Sequence, residues 1–292
     1  IRNTAAVNYY ACDDTRAIGK EVAGQIIKNM DLDKAQEEKQ SYTIEFLMGS
    51  TDDNGALFFC NGVLEKLQEY LDDGTLVCKS GNMTFDSTGI LRWDQDAAQA
   101  KMKSILDEFY QKEKTPNIII TASDEFAIGV QELLEERGIL SDSEEWPVIT
   151  GYGSEMQAVK DVAEGKITLT TYLDRKELAQ GGAKMALDYL AGEKVDVKDY
   201  SQYDNGTKIV GTFTCGAQLI DKDNYQILVD NGTYDEEEIK PDPTPTATPE
   251  PTSTPEPTLT PEVTSDPEAT ITPKATVTPT ASGTPAATDK TI

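Results

Sequence analysis

Histidine is absent from the 292 residues, and with it go the commonest general base, the commonest metal ligand and the usual switch near neutral pH. Cysteine is scarce. Cys12, Cys60, Cys78 and Cys215 stand far apart with no CxxC spacing, which excludes zinc-ribbon and thioredoxin-type chemistry and reads as free thiols in a core. Basic residues number 26 against 52 acidic ones, for a net charge of −26. A surface of that sign repels phosphate backbones and anionic lipid, and no basic stripe offsets it, so nucleic acid is not an expected partner. No run approaches the ~20 apolar residues that a membrane helix needs. Proline is nearly missing up to residue 240, where only Pro116 and Pro147 occur.

The other twelve prolines lie from Pro241 onward, alternating with threonine. With almost no aliphatic residues to bury, residues 241–292 are expected to be a disordered, extended stalk of the kind that carries O-linked sugar or serves as a plain linker. The globular part is therefore 1–240, which retains 24 basic and 45 acidic residues.

Within it, apolar runs of strand length alternate with amphipathic helical patterns. Strands are expected at Ala5–Cys12, Thr43–Met48, Thr75–Lys79, Asn117–Thr121, Pro147–Thr150, Ile167–Leu173, Lys208–Thr214 and Ala217–Ile220. Helices are expected at Thr15–Met30, through Leu57, Val63, Leu64, Leu67 and Leu71, over Gln95–Lys112 and Glu125–Arg137, from a capping box at Ser154–Gln157 to Glu164, and over Lys176–Leu190. Tyr225–Val229 and Asp235–Ile239 read as short closing elements. This rhythm predicts an α/β fold with doubly wound parallel sheet.

Four loops are expected to collect at one sheet edge, where open parallel sheets bind ligands. They are Ser50–Asn54, Leu91–Asp94, Thr121–Asp124 and Thr150–Gly153. A tryptophan among carboxylates and amides suits a polyol, because a sugar has an apolar ring face and many hydroxyls. No phosphate loop, nucleophile elbow or metal cluster accompanies them, and the pair Asp52–Asp53 is too weak a signal for a hydrolase. The chain reads as a binder, not an enzyme, with no cofactor. Asp31-Leu32-Asp33 lacks the third ligand position and the glycine of a calcium loop, so no metal is expected.

Gly49-Ser50-Thr51-Asp52-Asp53-Asn54, Leu91-Arg92-Trp93-Asp94, Asp124-Glu125-Phe126-Ala127-Ile128-Gly129 and Tyr172 with Lys176-Glu177-Leu178-Ala179 occur in an order and spacing that resembles the type I periplasmic sugar-binding proteins of ABC importers. The xylose- and multiple-sugar-binding branch is the nearest likeness, over nearly all of 1–240. The resemblance implies two α/β lobes that clamp a sugar, joined by three crossings at Tyr10–Asp14, Thr171–Asp174 and Thr212–Ala217. Residues 1–14 would be a remnant of the first lobe with its first crossing. Residues 15–170 would be the C-terminal lobe, and 171–240 the other crossings with return elements of the first lobe. Most of that first lobe would be missing. Cys12 and Cys215 would both lie on hinge strands, which leaves a pairing between them open.

The resemblance implies that Trp93 stacks on the sugar and that Asp53 and Asn54 meet its hydroxyls, while capping the following helix remains the alternative for both and for Asp94. Several positions depart from the family pattern. Gly55 replaces an amide, Ser123 an Asn, Tyr152-Gly153 a Gln-Asp, and Leu173 a Lys. Ser123, Tyr152 and Gly153 still fall at the site, so the ligand is expected to differ from ordinary xylose or galactose, facing Tyr152 and Leu173, or to bind weakly. The implied protein is an extracellular or surface-anchored monomer that delivers a monosaccharide or small oligosaccharide to an ABC permease. The alternative is a sensory or adhesive module on a stalk that reports to a membrane sensor. A sugar-responsive repressor shares the fold, but the charge and the lack of a basic segment exclude it.

Overall fold

The computed structural model describes residues 3–240; the expectation for 241–292 lies outside them. Strand β1 (Tyr9–Asp13) leads into α1 (Thr15–Asn29) and α2 (Leu32–Glu38), and β2 (Tyr42–Leu47) into α3 (Asn54–Asp72). Then β3 (Leu76–Val77), α4 (Phe85–Thr88) and a 3-10 turn at Leu91–Trp93 precede α5 (Gln95–Phe109). Three strand–helix pairs follow: β4 (Ile118–Thr121) with α6 (Asp124–Glu136), β5 (Val148–Thr150) with α7 (Met156–Ala163), and β6 (Leu169–Tyr172) with α8 (Arg175–Ala191). Strands β7 (Gly211–Cys215) and β8 (Gln218–Asp221) and the short helices α9 (Ile227–Asp230) and α10 (Glu236–Ile239) complete the order.

Six strands form one sheet in the order β3-β2-β4-β5-β6-β8. It is parallel except for β8, which runs antiparallel to β6. Both faces are covered, which is why Ile118-Ile119-Ile120 is an unbroken apolar run instead of an alternating one. Ile44, Phe46, Ile118 and Ile120 point to a core shared with Ile18 and Val22 of α1 and Phe59 and Val63 of α3. Leu47, Ile119 and Ile149 point the other way, to Met102 of α5, Phe126 and Val130 of α6, and Ala158 of α7. The buried carboxylate in this sheet, Glu45, accepts the Ser80 backbone N–H at 3.0 Å and the Tyr110 hydroxyl at 2.8 Å.

Strands β1 and β7 form a separate parallel pair, and α8 lies against both. The chain passes between the two sheets three times: from β1 into α1, from β6 into α8, and from β7 into β8. Asp13 and Arg175 tie two of these passages together through an ion pair of 2.8 Å.

Helices α1 and α3 meet through glycine. A Cβ at Gly19 would lie 2.3 Å from the Phe59 carbonyl oxygen, and one at Gly62 would lie 2.1 Å from that of Arg16. Backbone therefore rests on backbone, an approach no larger side chain permits.

Several expected boundaries move for identifiable reasons. Pairing of β1 begins only at Tyr9, opposite Gly211, because Ala6 is held in a bend by the Thr4 hydroxyl and the Asn205 side chain holds Thr207 and Lys208 in a turn. The expected strand Thr75–Lys79 shrinks to Leu76–Val77, since Ser80 is drawn away to Glu45. Leu91–Trp93 follows a helix and a single bridge at Met48–Gly89, not a strand. No capping box forms at Ser154–Gln157. Helix α7 starts at Met156 with no side-chain cap, because the carboxylate of Asp124 accepts the Glu155 N–H from outside. Cys12 and Cys215 are both free thiols. Their register partners are Thr214 and Asp13, so in a pleated pair they project to opposite faces, and no disulfide joins them.

The glycine crossing gives a direct test. Gly62→Ala is expected to lower stability by about 2 kcal/mol, within the usual range for overpacking, read from the urea midpoint. An unchanged midpoint would mean that α1 and α3 separate freely.

Candidate functional site

Strands β2, β4, β5 and β6 run in the same direction, so the loops that follow them gather beyond one end of the sheet. Chain passages from β1 into α1 and from β6 into α8 arrive at the same place, joined by the Asp13–Arg175 pair. Two neighbouring cavities open there and share Thr15, Asp53 and Gly55.

The smaller cavity, about 130 Å³, is walled by Ala56, Phe59, Trp93, Ala122 and Tyr152 with Asp53 at its rim. Trp93 is set there by an unusual backbone. Arg92 and Trp93 both have positive φ, 60° and 56°, a conformation that bulky residues adopt only where surroundings impose it. Three contacts impose it. The Arg92 N–H donates to the Ser50 hydroxyl at 2.8 Å, the indole stacks on Phe126 with centroids 6.0 Å apart, and its edge lies over Gly49. A Cβ at Gly49 would lie 2.0 Å from the ring. Tyr152 meets Phe59 edge to face at 5.3 Å, and burial, then the nearby Asp13, raises its hydroxyl above the usual range.

The larger cavity, about 370 Å³, lies between α3, β1 and the segment 202–205. Tyr10, Phe58 and Tyr203 supply aromatic walls, packed edge to face at 5.8 Å and 6.0 Å. Asp13, Asp53 and Asp204 supply carboxylates. One oxygen of Asp13 is buried without a hydrogen-bond partner. Cys12 also faces this cavity; burial pushes its thiol up to about 11, against a hydrogen bond from Tyr203, so it is not a ready nucleophile.

The structure brings Trp93, Asp53, Asn54 and Tyr152 to these cavities. Asp53 caps α3, its carboxylate accepting the Gly55 N–H at 2.7 Å, and it also lines both cavities. Asp94 is the cap of α5, accepting Ala97 N–H at 2.8 Å. Ser123 caps α6 through Glu125 N–H and lies outside both linings, as does the exposed Gly153, whose φ is 136°. Leu173 does not face the cavities; it is 5% exposed and belongs to the core beside α1 and α3. Sequence reading missed Asp13, Tyr10 and the segment around Tyr203. Asp13 had a local signal, a carboxylate ending a strand, whereas Tyr203 comes from a segment with no periodic pattern.

Asp124 is the buried support of this region. It accepts from Glu155 N–H at 2.7 Å and from the Thr170 hydroxyl, and so holds the loop that carries Tyr152. Burial pushes its carboxyl up to about 6 from the ordinary 3.8, and those two hydrogen bonds offset the shift only partly.

The sequence profile of the periplasmic binding protein domain matches residues 2–194. The chain is 34% identical to the multiple sugar-binding periplasmic receptor ChvE of Rhizobium radiobacter, over 82% of this chain and 67% of that protein. It is likewise 34% identical to the multiple sugar-binding periplasmic protein SbpA of Azospirillum brasilense, over 82% and 66%. It thus spans about two thirds of the length of these relatives. Among solved structures, an ABC transporter solute-binding protein from Clostridium phytofermentans with bound β-D-glucose superposes with a TM-score of 0.74 at 31% identity, over 82% of this chain and 72% of that one.

Asp124 makes the stability of the region depend on pH. Its folded-state pKa is raised, so the folded protein holds the proton more tightly than the unfolded chain. The stabilisation from protonation is complete below about pH 4 and is lost as the pH rises to about 6. Asp124→Asn keeps the size without the charge: its oxygen accepts the Glu155 N–H, and its amide nitrogen donates to the Thr170 hydroxyl. Relative to this variant, the unaltered protein is expected to lose stability between those pH values, read from urea midpoints across the range; two parallel curves would refute it.

Proposed function

The chain belongs to the periplasmic binding protein domain family, and from that premise we propose that it is an extracellular receptor that captures a carbohydrate for an ABC importer. The observation that carries this reading is the wall formed by Trp93, Phe59 and Tyr152 with the carboxylate of Asp53 at its edge. An indole offers an apolar plane to the CH face of a pyranose, and a carboxylate accepts strong, charge-assisted hydrogen bonds from its hydroxyls. The strained backbone at Arg92–Trp93 supports it, because the ring is held in place before any ligand arrives, and a preorganised wall loses little entropy on binding. Relatives that share a third of the sequence are named as sugar-binding receptors, and the solved solute-binding protein holds glucose.

On this reading β1, β7 and α8 are part of a second lobe, and the three passages between the sheets act as the hinge. Exposed Leu187, Tyr189, Leu190, Tyr200 and Ile209 on and around that smaller sheet support it, since large apolar side chains left in solvent mark a surface that another element covers. Closure brings that lobe over the Trp93 wall, and the permease then reads the closed form. Nothing in this role requires a catalytic group: the arrangement holds and releases.

Trp93→Ala tests the reading. Binding of a monosaccharide found by a thermal-shift screen is expected to fall at least about a hundredfold, the equivalent of ~2.7 kcal/mol, with the fold retained by circular dichroism. Unaltered affinity would remove Trp93 from the site, and silence across a broad sugar panel in a folded protein would overturn the carbohydrate reading.

A further inference from the structure

The larger cavity carries more acid than a neutral sugar needs. Asp13, Asp53 and Asp204 line it, and no Lys or Arg stands among its described lining residues. Arg175 lies outside that lining; its side chain is 68% exposed, and its guanidinium meets only one oxygen of Asp13. The other oxygen is buried with no partner. Asp53 and Asp204 each accept a backbone N–H, from Gly55 and Gly206, and among the described residues neither forms an ion pair. Tyr10, Phe58 and Tyr203 add three aromatic rings to the same walls.

We infer that the cleft selects for a protonated amine: it takes an amino sugar ahead of the neutral parent sugar, and it turns away sugar acids. This rests on the carbohydrate reading and specifies the ligand class. An ammonium group brings three N–H donors, no acceptor and a positive charge, which matches three carboxylates with no Lys or Arg in the described lining. A hydroxyl brings one donor and no charge, and so leaves the three carboxylates without a counter-ion. Ring faces of Tyr and Phe attract a cation further. A ligand carboxylate meets like charge at close range, a repulsion that excludes it more firmly than any lost contact. The protein's own charge of −26 adds in the same direction over longer distance.

The test is calorimetric titration of the full-length protein with D-glucose, D-galactose, their 2-amino-2-deoxy counterparts and D-glucuronate. It is run at low salt and about pH 6, where the amine is protonated; ethanolamine serves as a cation that is not a sugar. An amino sugar is expected to bind at least about tenfold more tightly than its parent, and D-glucuronate more weakly than D-glucose. Asp53→Asn keeps a good helix cap and is expected to bring the amino-to-neutral ratio close to one; Asp13→Asn is the second variant if the first does not fold. Neutral sugars that bind as tightly as their amino forms overturn the inference and leave the carbohydrate reading standing. Ethanolamine binding that disappears in Asp53→Asn, with no sugar binding, supports charge selection and refutes the carbohydrate reading. Silence from every probe overturns both.

Discussion

The close approach of α1 and α3 at Gly19 and Gly62 governs the geometry of everything near the site. Helix α1 begins directly after β1, and α3 begins directly after the loop that carries Asp53. Where the two helices touch, each glycine lies against backbone of the other, with room for no Cβ. That distance sets how far Thr15 stands from Asp53 across the cavities they share. It also fixes where β1, with Asp13 at its end, arrives beside the larger sheet. Exposed ion pairs of Arg16 and Lys20 with Glu65 flank the crossing, but solvated pairs of this kind contribute little. The crossing is a matter of shape, and charge only decorates it.

Above this foundation the site relies on groups held in costly states. Arg92 and Trp93 occupy left-handed backbone, Asp124 keeps a carboxylate in the interior, and Asp13 buries an oxygen without a partner. Each would be eliminated by selection for stability alone. The first two are compensated locally: Ser50, Phe126 and Gly49 hold the turn, and Thr170 with the Glu155 N–H satisfies Asp124. Asp13 is compensated at one oxygen only, through Arg175. Of these groups, only the second oxygen of Asp13 is left without a partner among the described residues.

How much of this could be read from sequence follows from the range of the interactions. The parallel sheet was legible because a strand covered on both faces has to be apolar throughout, as Ile118–Ile120 is. Trp93 and Asp53 were legible because they fall in loops at strand and helix ends, where type and position coincide. The start of α7 was not. Ser154–Gln157 carries the letters of a capping box, but Asp124 on another helix takes over the capping, and a motif rule has no access to a partner 31 residues away. Leu173 failed for the opposite reason: an apolar residue where a charged one was expected suggests an altered site, yet here it fills the core. The Tyr203 wall was invisible because no periodicity marks its segment.

The positions at which this chain departs from the sugar-binding pattern now read differently. Taken one by one, an amide replaced by Gly55, an Asn by Ser123 and a Lys by Leu173 look like decay, since each removes a contact. Of the three, only Gly55 lines a cavity; Ser123 caps α6 and Leu173 fills the core. The carboxylates of Asp13, Asp53 and Asp204 remain around the larger cavity, with no Lys or Arg among its described lining residues. A cavity of one charge sign is the complement of a ligand that brings the opposite charge, and such complementarity sets specificity more than affinity. What singles out the ligand is therefore the charge the walls keep, not the contacts that were lost elsewhere.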